Sequence, residues 1–276
     1  EVVLRRAVLE RAPSRFASVD AVVLVVYLAL LMLMGARFAR RTHGTDDYFL
    51  AGRRIPWWAA GLSLYGTQMS AISFLATPAL AYATDLRYAP TWLAILLMAP
   101  VVTRVHLPFF RRLAVTTAYE YLEQRFGYGV RAFGSVAFVI YQLARMAIVV
   151  YLPALALAAV TGLDVSACIV LMGVLATTYT VLGGMEAVIW TDVLQVVVLV
   201  GGVGLALGLA LADVGGVAGV RRLAEGFDVL RVWDGGFAWA ESASWSLMLG
   251  AVFLQFGPFT TDQAMIQRYM TTPDAR

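Results

Sequence analysis

Between Ser63 and Pro78 the chain reads SLYGTQMSAISFLATP, which places hydroxyls, an amide and a glycine inside an apolar segment long enough to cross a bilayer. On a helix of about 3.6 residues per turn, Ser63, Gly66 or Thr67, Ser70, Ser73 or Phe74, and Thr77 share one face. A stripe of small polar groups either packs against another helix or binds something. The clustering of Gly66, Ser70, Ser73 and Pro78 favours binding, because these residues permit a break in the helix. A break exposes backbone carbonyls, which are hard ligands for a monovalent cation.

Two ionisable residues pose the same question elsewhere. Arg145, in YQLARMAIVVYLPALAL, stands near the centre of an apolar segment, and Asp192, in GGMEAVIWTDVLQVVV, lies about two turns into another. A charge at such a depth costs about 2.5–3.5 kcal/mol on insertion scales, so each must face protein, water or a bound ion. Either the two pair with each other or with other buried groups to hold the structure together, or they mark ion and solute sites. Cys168, the single cysteine, is a small buried residue, and Gly204 with Gly208 forms a small-xxx-small pattern suited to close helix contact. No His or Cys constellation, phosphate loop or nucleophile elbow occurs, and an enzyme is not expected.

The elements that must position these residues are membrane helices. Hydrophobic residues make up 61% of the chain and charged residues 14%, against roughly 45–50% and 25% in soluble domains. Apolar stretches near 19–38, 56–83, 90–110, 130–160, 164–182 and 186–212 reach or approach the roughly 20 residues that cross a bilayer. A seventh, 245–266, is interrupted by Gly257 and Pro258. Arg37, Arg40, Arg41, Arg53 and Arg54 lie between the first two spans, and Arg111, Arg112, Arg125 and Arg131 between the third and fourth, so those loops are expected in the cytoplasm and the amino terminus outside. The net charge of +3 comes mainly from such loops, which argues for a bilayer partner and against nucleic acid. TTAYEYLEQRFG, from Thr116 to Gly127, suits a short helix on the cytoplasmic surface. In the N-terminal segment 1–18, residues 1–16 do not read as a secretory signal, 213–244 is expected to form a long outer connection, and both ends suggest a piece of a longer protein.

DYFLAGRRIPWWAAGLSLYGTQMSAISFLATPALAYATD and GGMEAVIWTDVLQ closely resemble two signature regions of the sodium/solute symporter family, which includes sodium-coupled glucose, proline, iodide and monocarboxylate transporters. The order and spacing of the spans fit as well. The resemblance implies an all-α polytopic membrane protein with a five-plus-five inverted repeat like that of the bacterial leucine transporter. Residues 19–38 would be an extra helix, 56–212 the five helices of the first repeat, and 245–276 the start of the second, with the rest missing. By the same resemblance Gly66 and Met69 offer carbonyls to sodium, the coupling ion.

Within the family the likeness is strongest to bacterial sialic acid symporters. It implies that Ser70 and Ser73 hold a solute carboxylate, that Arg145 stands on the solute side and that Asp192 binds a second sodium. Trp92 replaces a glutamine and Ser73 a threonine of those proteins, and Gln255 joins the candidate solute-binding residues. The expected function is sodium-driven symport of a small organic solute, a carboxylate such as a sialic acid, across a bacterial inner membrane. Alternatives are a sensory membrane module, or a symporter for a neutral sugar, an amino acid or a monocarboxylate.

Overall fold

The computed structural model describes residues 16–70, 72–113, 115–225, 230–233 and 244–273. The segment 1–15 and, of the connection expected at 213–244, residues 226–229 and 234–243 lie outside the described residues. Within them every regular element is helical: α1 (Ser18–Ala39), α2 (Thr45–Leu50), α3 (Trp57–Gln68), α4 (Thr77–Ala83), α5 (Leu93–Val101), α6 (Leu107–Arg112), α7 (Ala118–Phe126), α8 (Tyr128–Thr161), α9 (Val165–Asp213), α10 (Gly216–Ala224), α11 (Ser244–Thr260) and α12 (Gln263–Tyr269). Helices are the open-chain solution in a bilayer, because each satisfies its backbone polar groups internally.

Local signals set the boundaries. Asp164 accepts from the Ser166 and Ala167 N–H groups at the start of α9. Thr117 caps α7 by accepting from the Glu120 N–H, and the Glu120 carboxylate accepts from the Thr116 N–H just before the helix. Gly162, at φ 76°, ends α8.

Among the described residues four helical segments are long and apolar enough to cross a membrane: Ser18–Ala39, Leu86–Arg112, Tyr128–Thr161 and Val165–Asp213. The third apolar stretch is a composite, in which a 3-10 turn (Leu86–Trp92), α5, a π turn (Val102–His106) and α6 follow one another. Pro90 and Pro100 lie inside it, and the ring removes a backbone donor each time.

The stretches expected at 164–182 and 186–212 are two helices that meet at a kink within the 49 residues of α9; unbroken, that length at about 1.5 Å per residue would extend more than twice the thickness of the hydrocarbon. Gly184 breaks this run, with φ 60° and ψ −158°. Only glycine adopts that conformation readily, and a Cβ there would stand 2.8 Å from the Tyr48 carbonyl oxygen.

The stretch expected at 245–266 also divides. The Thr260 and Thr261 hydroxyls turn back to the carbonyls of Phe256 and Gly257, and Asp262 caps a new helix by accepting from the Ala264 N–H at 2.8 Å. The resulting α12 inserts among the other elements. Its Ile266, with Met270 just beyond, packs on Leu50 and Phe110, while Met265 and Tyr269 pack on Met98 and Val102. Arg111 fixes the following chain, donating to the carbonyls of Tyr269, Thr272 and Pro273 at 2.9–3.2 Å. A third core joins Ile55, Ala59 and Ala60 at the start of α3 to Ile189 of α9.

Candidate functional site

The polar segment is a broken helix. Pro56 precedes the first turn of α3, and the helix stops at Gln68 because Met69 turns to φ −80°, ψ 131°. A π turn, Ile72–Ala76, follows and leads into α4. Such turns recur at functional sites. A continuous helix would send the Ser70 N–H to the Gly66 carbonyl and the Ser73 N–H to that of Met69. Among the described residues neither carbonyl receives a backbone donor, whereas the neighbouring bonds from Met69 to Tyr65 and from Phe74 to Ser70 are present. Among the described residues, two backbone oxygens at one break are thus left without a helical donor.

Gly66 lies against the centre of α9. A Cβ built on it would stand 2.9 Å from Val196 Cγ2 and 3.7 Å from Asp192 Cβ, so only hydrogen fits without displacement. The fold thus brings Gly66, expected with Met69 at one sodium, against Asp192, expected at a second; Met69 follows Gly66 by less than one turn.

Asp192 is not paired with Arg145. Its Oδ2 accepts from the Ser63 hydroxyl at 2.5 Å and from Arg268 Nη2 at 2.9 Å. The guanidinium also donates through Nε to Ser63 Oγ at 2.8 Å and through Nη1 to the Ala264 carbonyl at 2.8 Å. The side chains of Arg268 and Asp192 are only 7% and 15% exposed. A charge buried to that degree persists only with its partner and hydrogen bonds in place. Asp192 Oδ1 makes no hydrogen bond among the described residues, which leaves one carboxylate oxygen with lone pairs available to a cation. Neither Ser63 nor Arg268 was expected as a partner of Asp192. The available signal was a lone arginine in the apolar run AMIQRYM.

Arg145, on α8, points toward Asp262, with Nη1 4.0 Å from Oδ2. Burial, together with the negative charge of Asp262, pushes the Tyr119 phenol up to about 12. One turn before Arg145, the Oε1 of Gln142 is buried without a hydrogen-bond partner among the described residues.

The remaining expected residues lie on several elements. Ser70 lines a cavity of about 580 Å³ together with Tyr27, Phe74, Pro153 and Gln195. Pro153 stands eight residues beyond Arg145, roughly 12 Å along α8. Ser73 is half-buried in the π turn, Gln255 is half-buried on α11, and Trp92 ends the 3-10 turn as a partly exposed ring. Chemically the arrangement offers released carbonyls, hydroxyls and one carboxylate to a cation, and a guanidinium to an anion. Among the described residues no cluster of His, Cys, Asp and Glu could hold a metal ion.

Residues 48–276 match the family described as the sodium:solute symporter family. The sodium/sialic acid symporter NanT of Aliivibrio fischeri is 39% identical over 93% of the chain and 51% of its own length, and SiaT of Proteus mirabilis is 38% identical over 93% and 52%. The human sodium/iodide cotransporter is 35% identical over 91% and 39%. A solved structure of a Na+-coupled sialic acid symporter, in a substrate-bound outward-open state with a novel Na+ site, superposes with a TM-score of 0.86 at 38% identity, covering 94% of this chain and 55% of that one. The chain spans about half the length of the bacterial relatives it matches.

Proposed function

We propose that this chain, which belongs to the sodium:solute symporter family, carries ion- and solute-binding elements of a sodium-coupled symporter for a small organic acid. The observation that supports the reading is the break after α3, where the Gly66 and Met69 carbonyls have no helical donor among the described residues and Gly66 packs against Asp192. These two oxygens would bind one sodium ion, and Asp192 Oδ1 a second. Arg268 would keep the carboxylate ionised and neutralised while no cation is present, so that an arriving ion shares the carboxylate instead of meeting an unpaired charge. Ser70, Ser73 and Arg145 would hold the carboxylate of the solute, with Trp92 and Gln255 shaping the rest of its site.

A sialic acid is the proposed solute because NanT and SiaT, named as sialic acid symporters, are similar along nearly the whole chain. The fold would be the first part of a five-plus-five inverted repeat preceded by one extra helix, working by alternating access in a bacterial inner membrane, with no chemical step catalysed. Two sodium ions with one carboxylate would carry one net positive charge inward. At 100 mV that contributes about 2.3 kcal/mol to accumulation.

The test is uptake into proteoliposomes containing the purified protein, with an inward sodium gradient and a panel of sialic acids, monocarboxylates, amino acids and neutral sugars. Accumulation of the sialic acid that collapses when potassium replaces sodium is expected. Uptake indifferent to sodium, or a preference for a neutral sugar, overturns the proposal.

A further inference from the structure

We propose that the cytoplasmic end of α1 holds a binding site for the phosphodiester headgroup of an anionic phospholipid, separate from the ion and solute site. Arg40 and Arg41 at the end of α1, His43 in the following turn, Arg54 before α3 and Glu186 just after the Gly184 break surround one cavity of about 510 Å³. These residues come from separate parts of the chain and converge on one concave surface. Topology alone asks only for arginines on the inner side and sets no such convergence.

A second cavity, of about 380 Å³, shares Arg40 and Arg41 and adds Leu33, Ala36 and Arg37. The basic hollow therefore continues onto the apolar flank of α1, where Val26, Leu30 and Leu33 are exposed. That sequence of chemistry, cationic and then aliphatic, matches a phosphate carrying acyl chains. A free phosphate ester has no use for the apolar part.

The charge balance supports an anion. Arg54 pairs with Asp47 at 3.2 Å, but among the described residues Arg37, Arg40 and Arg41 have no ion-pair partner. Two unpaired guanidiniums, Arg40 and Arg41, thus face one carboxylate, Glu186, and Arg37 adds a third guanidinium in the adjoining cavity. Arg54 reaches the cavity through a left-handed turn in which Ala51, Gly52 and Arg53 take φ of 52°, 57° and 55°. Guanidinium forks bind phosphate oxygens in pairs, and basic pockets beside membrane helices on the inner face take lipid headgroups.

The test is native mass spectrometry of the purified protein released from nanodiscs of phosphatidylglycerol mixed with phosphatidylethanolamine. Preferential retention of phosphatidylglycerol is expected. Each arginine near a charged headgroup is worth about a fivefold change in affinity. Arg40→Gln with Arg41→Gln should therefore cut retention about 25-fold, while Arg221→Gln with Arg222→Gln, on a different face, should leave it unchanged. Leu33→Gln keeps every charge and should weaken retention several-fold if the acyl chain lies on α1.

Equal retention of the zwitterionic lipid overturns the proposal, as does retention unaffected by Arg40→Gln with Arg41→Gln. Full displacement by millimolar glycerophosphoglycerol, with no effect of Leu33→Gln, would also overturn it by assigning the site to a soluble phosphate ester. None of these readouts depends on sodium or solute transport, so the site stands or falls apart from the proposed symport.

Discussion

Replacing Asp192 by asparagine removes one charge from a buried pair and changes almost nothing in shape. The amide can still accept from Ser63, but Arg268, 7% exposed, loses its counter-charge. Breaking a buried pair from one side costs about 3–5 kcal/mol, because the remaining charge is stranded. The retained hydrogen bond should hold the loss near the lower value, which at about 2–4 °C per kcal/mol lowers the melting temperature by about 6–12 °C. Replacing both, as Asp192→Asn with Arg268→Gln, removes the stranded charge and should recover most of that loss.

Sodium dependence separates binding from scaffolding. If Asp192 Oδ1 binds the ion, half-saturating sodium rises in the single variant and stays high in the double variant, although the latter is stable. The assays are thermal unfolding followed by size-exclusion chromatography, and sodium titration of uptake. Normal sodium dependence in a stable double variant would refute the ion role and leave Asp192 as a partner of Arg268 alone.

Gly66→Ala places a methyl 2.9 Å from Val196 Cγ2, so overpacking should cost about 1–3 kcal/mol and shift the released carbonyl; reduced sodium affinity and a lower melting temperature are expected. Met69→Leu should keep sodium dependence, because the carbonyl and not the thioether is the proposed ligand, whereas Ser70→Ala should weaken solute affinity with sodium affinity unchanged, read as separate half-saturation constants. Arg145→Lys keeps the charge and loses the planar fork, so affinity for acids should fall about tenfold while the protein remains inserted and folded. Uptake of an acid by Arg145→Gln at the parent rate would remove the guanidinium from the solute site.

The break in the second apolar stretch was legible in the sequence because its causes are local. Glycine, hydroxyls and proline within one segment weaken a helix wherever it sits, and the chain bends at Met69 accordingly. The helical membrane class was legible for a similar reason, since composition and run length act residue by residue. The two charges were recognised as needing partners, but the sequence left the partners open. Arg268 lies 76 residues from Asp192 and Asp262 well over 100 from Arg145, and no periodicity encodes contacts across such spans. The tertiary structure decided them by splitting the last apolar stretch at Asp262 and turning α12 inward, which carries Arg268 onto Ser63 and Asp192. The division at Gly184 was expected from the two apolar stretches on either side of it, but the close approach of the Tyr48 carbonyl, 2.8 Å from where a Cβ would stand, appears only in the tertiary structure. Local conformation follows from neighbours in the chain, but the neutralisation of a buried charge depends on which distant group the packing of all the helices brings within hydrogen-bonding distance.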